Sequence, residues 1–180
     1  MTKKQISNSN PKPDSMGLSH IGKGDDGQAE ACMVDVGQKE ATRRTALASA
    51  LIVFPKGLLA QVEAGDGPKG SLTALLEVAR VAGIMGAKRT GDLIPMCHPL
   101  GLDHVEVSFL RPQADAIEIR CSASCVGKTG IEMEAMTGAS LAALTVYDMA
   151  KALGKGIRIE QVALLEKTGG RSGVWRAEGS

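Results

Sequence analysis

Val105-Glu106-Val107-Ser108-Phe109-Leu110-Arg111-Pro112-Gln113-Ala114-Asp115-Ala116-Ile117-Glu118-Ile119-Arg120-Cys121-Ser122 is the stretch that decides the fold. Apolar and polar residues alternate through 105–110 and again through 116–122, the period of a half-buried strand. The segment between them carries proline and aspartate, so the two halves read as a hairpin. On its N-terminal side, Leu72, Leu75, Leu76, Ala79, Ala82, Gly83 and Gly86 recur at helical spacing. The small residues at the end of that run allow close backbone approach. On its C-terminal side, Thr129 and Glu132 fit a capping box, with Thr129 as N-cap and Glu132 reaching back. The helix they open is expected to run to about residue 153, where Gly154 and Gly156 close it.

Working outward, Ala46, Ala48, Ala50 and Ile52 alternate along 42–54, which predicts a strand stopped by Pro55. A short helix over 58–64 and a turn at Gly65-Asp66-Gly67-Pro68 follow. Residues 157–165 read as a last strand, 32–36 as a short extended piece and 22–27 as a loop. The order β, α, β, β, α, β predicts an α+β fold, the ferredoxin-like plait: an antiparallel sheet with two long helices on one face. Residues 1–17, rich in Lys, Asn, Ser and Pro, read as a disordered tail. Residues 18–175 form the expected single catalytic domain, and 176–180 a flexible C-terminus. The second helix is apolar on more than one side: Ile131, Ala135, Gly138, Ala142, Met149 and Leu153 share a face, while Leu141, Leu144 and Tyr147 lie far round from it. One face meets the sheet and the other needs a partner, which predicts a homo-oligomer.

Composition excludes several classes. Net charge is +1 and aromatics are 2% of the chain, so the basic stripe and base-stacking platform of a nucleic-acid binder are missing. No apolar run reaches the length of a membrane span, no signal-peptide pattern is present, and no C-x-x-C pair occurs among the four cysteines. These point to a reduced, cytoplasmic protein without nucleic-acid or membrane partners.

Three dense segments hold the candidate chemistry. Asp148 and Lys151 are three apart on the second helix and so are neighbours. Partly desolvated at an interface they suit proton transfer; on an exposed face they are an ordinary ion pair. Cys97-His98-Pro99 fits a metal corner, a nucleophile with a base, or a packed loop. Adjacent residues point apart in an extended segment, which favours substrate contact by His98. Zinc would need two further ligands, and Cys121 and Cys125 lie on a strand and its end. Glu132 reads most simply as a cap. Lys167-Thr168-Gly169-Gly170-Arg171-Ser172-Gly173 suits an anion or a mobile basic tail. With Lys69, Arg43-Arg44 and Lys88-Arg89 it gives separated basic clusters in a near-neutral chain, which suggests a compact polyanion such as a triphosphate.

The runs KRTGDLIPMCHPL (88–100), GIEMEAMTGASLAALTVYDMAK (130–151) and KTGGRSG (167–173), with Leu18-Ser19-His20-Ile21 and Met33-Val34-Asp35-Val36, closely resemble the cyclic pyranopterin monophosphate synthase family of molybdenum cofactor biosynthesis. The resemblance covers about residues 18–175. It implies conversion of 3′,8-cyclo-7,8-dihydro-GTP to cyclic pyranopterin monophosphate with loss of pyrophosphate. It also implies a hexamer, a trimer of dimers, with the active site at a dimer interface. No tightly bound cofactor is implied; magnesium with the substrate phosphates is compatible. By motif match, Asp148, Lys151, Lys69 and Lys167 are expected to be catalytic, with His98, Cys97, Glu132, Glu134, Arg44 and Met133 as substrate-binding residues. Ala150, Met96 and Arg171 depart mildly from the family pattern. The competing expectation is a non-catalytic oligomeric nucleotide-binding module.

Overall fold

A computed structural model describes residues 18–64, 71–171 and 173–178. The chain runs through β1 (Ile21–Lys23), β2 (Ala29–Ala31), β3 (Thr42–Val53), α1 (Leu58–Glu63), α2 (Leu72–Lys88), α3 (Thr90–Leu93), β4 (His104–Gln113), β5 (Ala116–Gly127), α4 (Glu132–Ala150), β6 (Arg158–Thr168) and β7 (Trp175–Arg176). The large sheet has the order β4-β5-β3-β6-β7 and is antiparallel at every pairing. Its four long strands with α2 and α4 are the ferredoxin-like plait. The hairpin at the centre of the prediction is β4–β5, which pairs Leu110 with Glu118 and closes at Gln113 and Ala116.

Both long helices lie on one face. α4 packs across β3, β5 and β6, and α2 lies against α4 and β4. The inward residues of β3 (Ala46, Ala48, Ala50, Ile52) and β5 (Ile117, Ile119, Cys121, Ala123, Cys125) meet Ala135, Ala139, Ala142, Ala143 and Val146 of α4 in one core. Alanine on both sides brings helix and sheet close, consistent with a core that has almost no aromatic volume to fill. The helices are close too: a Cβ on Gly138 would stand 2.5 Å from the Cys121 sulfur, and one on Gly83 would stand 2.9 Å from the Gly138 carbonyl.

Several details depart from expectation. The glycine-rich 22–27 segment is not all loop, because Ile21–Lys23 pairs with Ala29–Ala31 in a separate hairpin. Residues 32–36, expected to be extended, pair with no strand among the described residues, which an extended piece need not do. Thr90–Leu93 forms one helical turn in the expected loop, its buried Thr90 hydroxyl donating to the Ala87 carbonyl at 3.0 Å. β7 adds a short fifth strand to the large sheet. The Gly65–Pro68 turn and the 1–17 tail lie outside the described residues. No helix among the described residues is long and apolar enough to cross a membrane.

Candidate active site

The first turn of α4 organises the site, and it is not capped as expected. The helix begins at Glu132, and no side chain caps its amides. Glu132 turns away from Thr129 and accepts a hydrogen bond from the Lys167 Nζ at 2.7 Å. Lys167 arrives from β6, where it pairs with Ala46 of β3. Both side chains are half-buried. An ion pair to a residue 35 positions away takes the carboxylate that a local cap would have used. Gly130 makes this geometry possible, because a Cβ there would lie 1.9 Å from the Glu132 Oε2.

Arg44 enters from β3. Its Nε donates to the Gly127 carbonyl at 3.3 Å. Its guanidinium lies over the backbone beyond β6, where a Cβ on Gly170 would stand 1.9 Å from Nη1. Gly169 and Gly170 have φ of 96° and 70°, in the left-handed region that side chains avoid. A Cβ on Gly169 would also meet the Arg43 carbonyl at 2.2 Å. The Lys-Thr-Gly-Gly run is therefore a turn shaped around Arg44 as well as a carrier of Lys167.

One residue further along α4 from Met133, Glu134 points inward and is only 2% exposed. Its Oε2 has no hydrogen-bond partner among the described residues. Burial pushes its carboxyl above the usual range, and neighbouring Glu132 adds to the shift. The Cys97 sulfur is 4.0 Å from Glu134 Oε1. Burial, then the Glu134 charge, raises the Cys97 thiol in turn. The Cys97 amide donates to the Ile94 carbonyl at 3.2 Å, closing a tight turn over Pro95 and Met96. Met96 has φ of 62°, unusual for a residue with a side chain. Such strain concentrates where a loop must aim reactive groups. His98 follows directly and is half-buried. A small cavity of about 60 Å³ opens here between Lys88, Arg89, Asp92, Pro99 and Glu134.

Two further clefts flank this turn. One, about 150 Å³, is lined by Arg44, Thr45, Glu132, Lys167 and Gly169. The other, about 580 Å³, is lined by Lys39, Glu40, Arg44, Lys128, Gly170 and Arg171 among others. Arg44 and Gly130 belong to both.

Of the residues expected from sequence, Arg44, Cys97, Glu132, Glu134 and Lys167 therefore gather at the N-terminal end of α4, with His98 beside Cys97. Met133 stands between the two glutamates, partly exposed. Asp148 and Lys151 do not join them. α4 spans 19 residues, so Asp148 and Lys151 sit roughly 24 and 28 Å from Glu132 along its axis. Within one chain the pair is exposed. The Lys151 ammonium donates to Asp148 Oδ1, and that hydrogen bond raises the lysine above its ordinary value. The burial expected to tune Lys151 is thus not supplied by its own chain. Lys69 lies outside the described residues. Among the described residues no three His, Cys, Asp or Glu side chains gather as a cation site. Cys121 and Cys125 are buried free thiols, and burial pushes Cys121 up to about 12. Sequence reasoning did not place Lys39, Lys128 and Gly130 on the larger cleft, and read the last two only as the approach to the second helix. No local signal in the sequence marks them, because the pairing of Thr42 with Gly127 is what sets the two lysine-bearing loops side by side.

Residues 33–170 match the model of the MoaC family. The chain is 52% identical over 160 residues to the cyclic pyranopterin monophosphate synthase of Novosphingobium aromaticivorans, covering 89% of this chain and 97% of that protein. It is 47% identical over 165 residues to cyclic pyranopterin monophosphate synthase 1 of Mycobacterium bovis, covering 92% and 93%. It is 50% identical over 151 residues to the cyclic pyranopterin monophosphate synthase of Listeria monocytogenes, covering 84% and 92%.

Proposed function

The chain belongs to the MoaC family, and we infer from this that it carries out the reaction of the cyclic pyranopterin monophosphate synthases. It is a lyase of molybdenum cofactor biosynthesis that converts 3′,8-cyclo-7,8-dihydro-GTP to cyclic pyranopterin monophosphate and releases pyrophosphate. The observation that carries the reading is the Arg44–Glu132–Lys167 cluster, built on glycines and opening onto a cationic cleft. Such a cluster suits a ligand with a polar ring system at one end and a polyphosphate at the other. In the final bond changes, a sugar hydroxyl forms a new bond to the α-phosphorus while the bond to pyrophosphate breaks. A base takes the hydroxyl proton, and pyrophosphate leaves with the bonding pair. Arg44 and Lys167 are suited to offset the charge that develops.

We assign Lys151 as the principal acid/base, with Asp148 positioning it, and His98, Cys97, Met133 and Glu134 to substrate contact. Lys69 and Lys167 act on the ring rearrangement or the phosphates. The roughly 28 Å between the two ends of α4 requires a second copy to bring Lys151 of one chain to Glu132 and Lys167 of another. Exposed apolar side chains support such an assembly. Val78, Val81 and Met85 stripe α2, and Leu144 and Tyr147 stand beside Asp148 on α4. A hexamer arranged as a trimer of dimers accounts for both. A neighbouring protomer would desolvate Lys151 and bring its ammonium down toward a useful range. Magnesium, where it takes part, comes with the substrate phosphates, and the site needs no tightly bound cofactor. The setting is cytoplasmic.

The test is incubation of the purified protein with 3′,8-cyclo-7,8-dihydro-GTP. Pyrophosphate and cyclic pyranopterin monophosphate are expected in equal amounts. Binding without release would support the nucleotide-binding module instead. Sedimentation of a stable monomer at micromolar concentration would remove the shared site.

A further inference from the structure

We propose that the small cavity beside the first turn of α4 is a water-filled proton route, joining Glu134 at its inner end to solvent at Asp92. The route rests on the function inferred above and gives that reaction a second group, apart from Lys151, that exchanges protons.

Two carboxylates stand at the start of α4, and they serve different spaces. Residues two apart on an α-helix lie about 200° apart around its axis. Glu132 accordingly lines the cleft shared with Arg44 and Lys167, whereas Glu134 lines the separate cavity of about 60 Å³. That cavity shares no described lining residue with either cleft. Glu134 is 2% exposed, and its Oε2 finds no hydrogen-bond partner among the described residues. A buried carboxyl oxygen without a partner is costly, and ordered water is the usual remedy where there is room. The cavity has that room, since one water occupies roughly 30 Å³ of liquid.

The rest of the lining decides what such water can do. Lys88 and Arg89 offer hydrogen-bond donors only. The Thr90 hydroxyl directs its proton to the carbonyls of Ala87 and Gly86. Asp92 is the one other carboxylate in the lining, and it is exposed. The turn of α3 holds it in place, its amide donating to the Arg89 carbonyl at 3.0 Å. Gly91 lets this turn lie against the Cys-His-Pro loop, where a Cβ would stand 3.1 Å from the Pro99 Cα. The cavity therefore runs from a buried acid to an exposed one between two closely packed segments.

The inner end is suited to exchange. Burial, and then the charge of Glu132, raise the Glu134 carboxyl. The thiols of Cys97 and Cys125 feel its charge, while Lys88, Arg89 and Asp92 stand across the cavity. A carboxyl brought nearer to neutral pH both gives and takes a proton readily. Its Oε1 lies 4.0 Å from the Cys97 sulfur, on the side assigned to substrate contact. A proton given up there breaks the carboxyl O–H bond and leaves a carboxylate. That carboxylate takes a proton from cavity water, the water takes one from Asp92, and Asp92 takes one from bulk solvent. The chain is reset with no net change. Asp92 touches no reacting atom and is a positioning residue, acting through water and Glu134.

The experiment uses the full-length protein with its Asp92→Asn and Asp92→Glu variants. Asp25→Asn is the control that removes an exposed carboxylate elsewhere. Infrared spectroscopy at mildly acidic pH reads Glu134 as the carboxylic acid band that Glu134→Gln abolishes. On transfer to deuterium oxide, that band should exchange roughly tenfold more slowly in Asp92→Asn, less than the loss of a direct acid–base group because water still carries the proton. Asp92→Glu and Asp25→Asn should exchange at the wild-type rate. kcat for pyrophosphate release should fall by a similar factor in Asp92→Asn, with KM within about twofold, and added formate should restore turnover. Wild-type band exchange in Asp92→Asn, an equal slowing in Asp25→Asn, or no acid band lost in Glu134→Gln would overturn the proposal. If the wild-type protein releases no pyrophosphate, the enzyme reading fails on its own, and band exchange alone then decides the route.

Discussion

The two ends of α4 carry the same kind of chemistry, a lysine hydrogen-bonded to a carboxylate, in opposite surroundings. At the N-terminal end, Lys167 and Glu132 come from elements far apart in sequence, are half-buried, and depend on glycines that leave room for them. At the C-terminal end, Asp148 and Lys151 are neighbours on one helix, exposed, and hold the lysine more firmly protonated than usual. The first pair is finished within one chain. The second resembles a surface ion pair until something covers it, and surface pairs contribute little to stability. A residue whose own fold gives it no reason to stay is best explained by what arrives from outside.

The largest test of that contrast separates the two ends genetically. Lys151→Ala is expected to lower kcat by roughly 10²–10⁴, the range for loss of a general acid/base, without changing oligomeric state. Lys167→Ala should be similarly impaired. If the site is shared between chains, unfolding and refolding the two inactive variants together should restore activity. Random assembly of two-chain sites would give roughly a quarter of wild-type turnover. No recovery from mixed oligomers would mean that both ends act within one chain, which the length of α4 opposes.

A smaller effect tests the finished end. Gly130→Ala would push a methyl group into the space of the Glu132 carboxylate. That carboxylate is the far end of a flexible side chain, so it can swing aside and the fold should survive. Activity should then fall by up to about 100-fold through misplacement alone, with an unchanged melting temperature. Gly130→Ala with full activity would show that the Glu132–Lys167 contact is not needed for turnover.

The same contrast explains what could be read from the sequence. The alternation of Ala46, Ala48, Ala50 and Ile52 gave the central strand because those residues do face one core. The 105–122 hairpin and the glycines of the helix crossing were legible for the same reason, since periodicity and residue size are local properties. The capping box failed because Thr129-x-x-Glu132 says nothing of a lysine 35 residues on. Lys39 and Lys128 were missed because only strand register brings their loops together. Asp148 and Lys151 stood out by spacing, yet spacing could not tell a surface pair from half of a shared site. The motif resemblance raised them, and within a single chain the pair has the exposure of an ordinary surface ion pair.

The smallest expected effect concerns Glu134, the buried carboxyl beneath the finished end. Its folded value lies above the ordinary 4.5, with burial as the main cause. The folded chain therefore holds this proton more tightly than the unfolded chain. Its contribution to stability is fully present below the ordinary glutamate value and is lost as pH rises through the raised one. Glu134→Gln keeps the shape and removes the titration. Denaturant midpoints of wild type and variant should diverge between pH 4 and pH 8, with wild type losing more stability on the way up. The variant should also label faster at Cys97 with iodoacetamide at pH 8, because a charge that raises the thiol is gone. Parallel stability curves together with unchanged labelling would mean that Glu134 is ionised at no cost to the fold, and would leave substrate contact as its sole remaining role.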